Sequence, residues 1–76
     1  MMWRMAGNAL FVEIGKRVTK LRERKGLSKT ELAAHTGFSR QHISAIEHGK
    51  AEPGVLALQA IASELDTSMS ALLKGL

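Results

Sequence analysis

Between Leu27 and Lys50 the chain reads LSKTELAAHTGFSRQHISAIEHGK, which places two helix starts and two helix stops in close succession. Ser28 and Glu31 have the S-x-x-E spacing of a capping box, in which the serine oxygen takes a free first-turn amide and the glutamate reaches back to the cap. Leu27 and Leu32 occupy the staple positions on either side. Gly37 closes this helix after about two turns, because glycine adopts a positive φ without steric cost. Ser39 can cap a second helix, and Gly49 can stop it. A pair of helices this short, joined by one tight glycine-containing turn, is the outline of a helix-turn-helix.

The rest of the chain supplies helical patterns and no alternating β-branched run. In NALFVEIGKRVTKLRERKG, Asn8 is the expected N-cap and Gly26 the residue after the C-cap. Leu10, Ile14, Val18 and Leu21 step by four, four and three, which makes one apolar stripe. After the loop KAEPG a fourth helix is expected over about 55–65, with Leu58, Ile61, Ala62 and Leu65 apolar. Asp66 and Thr67 break that pattern, and Ser68 can cap a short fifth helix over 69–74. The expectation is an all-α, five-helix domain spanning residues 9–76, preceded by an arm at 1–8.

Seventy-six residues suffice for one small domain, and such chains often gain stability by oligomerising. The absence of cysteine rules out disulfides and thiolate metal sites. No apolar run reaches the roughly 18 residues of a membrane span, and Glu13 cuts short the one apolar stretch near the start, so no signal peptide is read. A cytoplasmic location is expected. Residues 1–50 hold ten Lys/Arg against four Glu, whereas residues 51–76 hold Lys74 against Glu52, Glu64 and Asp66. A basic half fits either a polyanionic partner or a merely solubilising surface, and charge alone does not choose between them.

The third helix is more discriminating. At 100° per residue Ile43 and Ile46 face one way, with Glu47 at the edge of their face, while Gln41, Ser44, Ala45 and His48 cluster opposite. That outward face is short and hydrogen-bonding, unlike the Lys/Glu-rich face of a solvated helix. Arg40 can pair with guanine O6 and N7 and Gln41 with adenine N6 and N7, while the Ala45 methyl can pack on a thymine methyl. Lys29 lies in the first turn of helix two, where the free amides also favour an anion. Metal and catalytic readings are weaker. His42 and His48 point in different directions, His35 completes no ligand set, and no nucleophile elbow or phosphate loop is present. No cofactor and no enzymatic activity are expected.

LRERKGLSKTELAAHTGFSRQHISAIEHGKAEP, continued by VLALQAIASELDTSMSALL, resembles the XRE (Cro/phage-repressor) class of helix-turn-helix regulators over roughly residues 14–73. The resemblance implies a lambda-repressor-like domain with its helix-turn-helix at helices two and three. It points to Ser39, Arg40, Gln41, Ser44 and Ala45 as base-reading residues and to His48 and Lys50 as phosphate contacts beside Lys29. Arg17 and Lys20 of the basic first helix are further phosphate candidates, set against the usual solvation of surface lysines and arginines. It also implies that Glu47 is paired inward with Arg22 of helix one. Thr36 and Thr67 depart from the pattern, since aliphatic residues are usual there.

The expected function is sequence-specific recognition of double-stranded DNA by a homodimer on a palindromic operator, most simply as a repressor. Met69, Leu72, Leu73 and Leu76 are the expected dimer contact, with the arm around Trp3 as second choice. The competing reading is a protein-interaction module of the same fold, such as a coactivator or an antitoxin domain bound to a toxin. The residue types at Arg40 and Gln41 favour the DNA reading.

Overall fold

The computed structural model describes the backbone from Gly7 to Leu76 and the side chains from Ala9 onward. Five helices follow in order: α1 (Gly7–Arg24), α2 (Lys29–Thr36), α3 (Arg40–Glu47), α4 (Val55–Glu64) and α5 (Met69–Leu72). The domain is all-α, as the sequence pattern implies. Two boundaries move. Helix α1 already includes Gly7 and Asn8, so Asn8 is not its cap; helix starts shift by a residue or two unless a cap bond pins them. Helix α5 ends at Leu72, short of Lys74, and the chain then turns through Gly75 at φ 80°. Residues 1–6, with Trp3 and most of the expected arm, lie outside the described residues.

Helix ends are closed by local bonds that the sequence announces. Ser28 Oγ accepts the Glu31 amide at 3.0 Å, and Glu31 Oε1 accepts the Ser28 amide at 2.8 Å. At the other end Gly37 (φ 82°) lets its own amide and that of Phe38 bond back to the Ala33 carbonyl at 2.9 and 3.1 Å. Gly26 and Gly49 close α1 and α3 in the same left-handed conformation. At the end of α4 an aspartate, Asp66 (φ 59°), takes the corresponding place. Thr36, half-buried where an aliphatic residue is usual, turns its hydroxyl to the Leu32 carbonyl at 2.8 Å.

The capping box has a consequence for acid stability. Above all the Ser28 amide bond, and then the Ser28 hydroxyl, holds the Glu31 carboxyl below the ordinary carboxylate range. A carboxyl depressed in the folded state adds stability above its unfolded pKa of roughly 4.3, and that stability disappears as pH falls through the lower folded value. Glu31→Gln, which can still reach the cap, is therefore expected to lose less helicity than the native chain between about pH 4.5 and pH 2. Superimposable acid titrations by circular dichroism would contradict this.

Every helix contributes to one core. Val18, Leu32, Ile43, Ile46, Ile61 and Leu72 are its largest fully buried side chains, each worth about 1.5–3 kcal/mol on removal from water. Helices α2 and α4 pack on each other, as do α4 and α5, while α3 rests on both α1 and α2. The α1–α3 crossing is so close that it admits no side chain on α1 at residue 15. A Cβ built on Gly15 would fall 2.5 Å from the Ile46 carbonyl oxygen and nearer still to that of Glu47. Just beyond, a Cβ on Gly49 would meet Val12 Cα at 2.6 Å.

Candidate nucleic-acid interface

Two contacts fix how α3 is presented. Its inner face is apolar, with Ile43 and Ile46 buried in the core. Its last turn is held by charge, since Arg22 Nε donates to Glu47 Oε2 at 2.6 Å and Arg22 Nη2 donates to Glu47 Oε1 at 3.2 Å. Arg22 is 8% exposed and Glu47 6%, so both ions have left water. The surroundings satisfy them. The Thr19 hydroxyl donates to Glu47 Oε1 at 2.9 Å, and Arg22 Nη1 donates to the Leu27 carbonyl at 2.7 Å. The hydrogen bond to Glu47 pushes the Arg22 pKa further above its already high value.

With that face engaged, α3 turns the other outward. Arg40, Gln41, Ser44 and Ala45 line one shallow concavity, together with His48 and Lys50. Ser39 stands at its entrance as the N-cap, its Oγ accepting the His42 amide at 3.0 Å, which leaves the hydroxyl proton to donate outward. Lys29 reaches across from α2, its Nζ 3.3 Å from Ser44 Oγ. His48 closes the concavity with Nδ1 at 2.8 Å from the Ser44 carbonyl. Six of the expected base-reading and phosphate residues therefore share one surface, and Lys29 and Ser39 stand at its edges.

Arg17 is drawn elsewhere. Its Nη1 donates to the Leu72 and Lys74 carbonyls at 3.0 and 2.6 Å, so its guanidinium caps the end of α5. Leu72 needs a correction as a dimer contact, because it is 2% exposed and belongs to the core of this chain. Met69 and Leu73 pack partly against that core, and Leu76 is 39% exposed. The larger exposed apolar side chains are Val55 at 67% and Leu56 at 78%, which the sequence reading passed over as part of α4. Thr19 and Gly15 were also missed. Thr19 stands one turn before Arg22, and a glycine inside an otherwise regular helix signals a close approach. Among the described residues no His, Cys, Asp and Glu side chains gather into a metal site, and no helix is long and apolar enough to cross a membrane.

Comparison with known proteins places the chain among helix-turn-helix proteins. The sequence profile of the helix-turn-helix family HTH_3 matches residues 18–72. The HTH-type transcriptional regulator y4dJ of Sinorhizobium fredii is 38% identical over 55 residues, covering 72% of this chain and 71% of the relative. SinR of Bacillus subtilis, also an HTH-type transcriptional regulator, is 34% identical over 61 residues, covering 79% of this chain and 55% of SinR. The crystal structure of the restriction-modification controller protein C.AhdI from Aeromonas hydrophila superposes with a TM-score of 0.79 at 31% identity, covering 82% of this chain and 94% of that one.

Proposed function

The chain belongs to the HTH_3 family of XRE-type helix-turn-helix regulators and is a DNA-binding transcription regulator, not an enzyme; from that premise we propose that it reads a palindromic operator as a homodimer, with α3 in the major groove. Arg40, Gln41, Ser44 and Ala45 then meet base edges, with Ser39 at the helix entrance. Lys29, His48 and Lys50 hold the flanking phosphates. The observation that carries this reading is the division of α3 into a buried face of Ile43 and Ile46 and an outward concavity of short, hydrogen-bonding side chains. Half-sites about one helical turn apart, roughly 34–36 Å, would place two copies on one side of the duplex. Repression by occluding polymerase is the simplest outcome. The curated SinR sequence extends well beyond this chain, so the reading is limited to the domain itself.

Selection of binding duplexes from a random-sequence library tests it. A palindromic consensus bound at least about a thousandfold more tightly than random DNA is expected, with a steep salt slope. On the selected duplex, Arg40→Ala should weaken binding by about 1–3 kcal/mol and relax selectivity at one base pair per half-site. Equal losses on selected and random DNA would remove base reading by Arg40. Exposed Val55 and Leu56 favour the second reading, a protein-interaction module, and weak binding without sequence preference would select it.

A further inference from the structure

We propose that DNA binding is coupled to protonation of His48, which becomes a cationic phosphate contact in the complex. The inference rests on the reading of α3 as the DNA-facing helix. His48 is the C-cap residue of α3, and its Nδ1 lies 2.8 Å from the Ser44 carbonyl and 3.4 Å from Ser44 Oγ. A carbonyl oxygen only accepts, so Nδ1 carries a proton and the tautomer is fixed. Nε2 is left as the nitrogen with a free lone pair, and it has no hydrogen-bond partner among the described residues. Imidazole is the side chain whose charge changes between pH 5 and 8.

The surfaces around this ring carry charge of both signs. His48 borders two surfaces, the reading concavity and a basic groove along α1. Each carboxylate that lines the groove lies beside an arginine. Glu13 lies 3.8 Å from Arg17, Glu23 lies 3.9 Å from Arg22, and Glu47 is bonded to Arg22. Lys16 and Lys20 of α1, Lys29 of α2, Arg40 of α3 and Lys50 of the following loop are in no ion pair among the described residues. A phosphate brought within about 4–6 Å of the ring favours the imidazolium. Binding therefore takes up a proton at Nε2, and the new N–H donates to a phosphate oxygen.

The test measures affinity for library-selected duplexes by fluorescence polarisation from pH 8.0 to pH 5.5 at fixed ionic strength, a range above that in which the capping box titrates. Native protein is expected to bind about tenfold more tightly per protomer at the acid end, the equivalent of a one-unit rise in the pKa of one group. Its salt slope should steepen by about 0.9 per protomer. His48→Gln should flatten the pH profile. His48→Lys should flatten it too while keeping the steeper salt slope. His35→Gln and His42→Gln should retain the native profile. Isothermal calorimetry in two buffers of different ionisation enthalpy should show proton uptake that vanishes in His48→Gln. A flat native profile, or one that survives His48→Gln, overturns the inference while leaving the DNA reading intact. Failure of the native protein to bind any duplex at any pH overturns both.

Discussion

Gly15→Ala is expected to destabilise the domain by about 2 kcal/mol net, although alanine is the better helix former. Helix propensity alone would return roughly 1 kcal/mol. Against this, the new methyl would overlap the carbonyl oxygens of Ile46 and Glu47. These are backbone atoms and cannot rotate aside as a side chain would. Overpacking of this kind costs typically 1–3 kcal/mol and occasionally more, and a clash with backbone belongs at the upper end. For a domain of this size the net loss amounts to a fall in Tm of roughly 8–16 °C. The displaced element would be α3, so the surviving folded fraction should also bind DNA less well. Differential scanning calorimetry that finds the variant at or above the native Tm would show that α1 and α3 do not cross as described.

Glu47→Ala carries the larger expected loss, about 3–5 kcal/mol, because it strands a buried guanidinium. An arginine cannot escape by shedding its proton, since its guanidinium stays charged far above neutral pH. The Thr19 hydroxyl adds little to the loss, because the Gly15 carbonyl, also 2.9 Å away, remains as its acceptor. Removing both ions, as in Arg22→Met with Glu47→Leu, should be far milder than the sum of the two single changes, because no charge remains unpaired. Urea denaturation of the four proteins gives the coupling energy directly. Additive single losses would mean that the two ions do not interact in solution.

How much of this was legible depends on the distance over which each contact acts. The S-x-x-E box, Gly37 and the Ser39 cap are local devices, and their residues lie within a few positions of one another; they read out of the chain almost completely. The orientation of α3 also read out, because the isoleucine spacing sets which face turns inward. The partner of Glu47 lies 25 positions away, and only family resemblance pointed to Arg22. Thr19 and Gly15 carried weak signals, a threonine one turn from Arg22 and a glycine inside a helical run, and neither names its contact on α3, the Glu47 carboxylate for one and the Ile46 and Glu47 carbonyls for the other. Met69, Leu72, Leu73 and Leu76 are equally apolar on paper, yet Leu72 alone turned fully inward. A helix of one turn has too little periodicity to reveal which of its residues faces the core.

The division of labour on α3 bears on how such a protein can change. The residues that anchor the helix in the core, Ile43, Ile46 and the Glu47 carboxylate, lie on the inward side, while Arg40 and Gln41 are exposed, Ser44 and Ala45 are half-buried, and the Ser44 hydroxyl reaches only Lys29 and His48. Those outward positions form an address that can be rewritten without rebuilding the house. Substitutions there should be close to neutral for stability, so a duplicated copy could drift toward a new target sequence while remaining folded at every step.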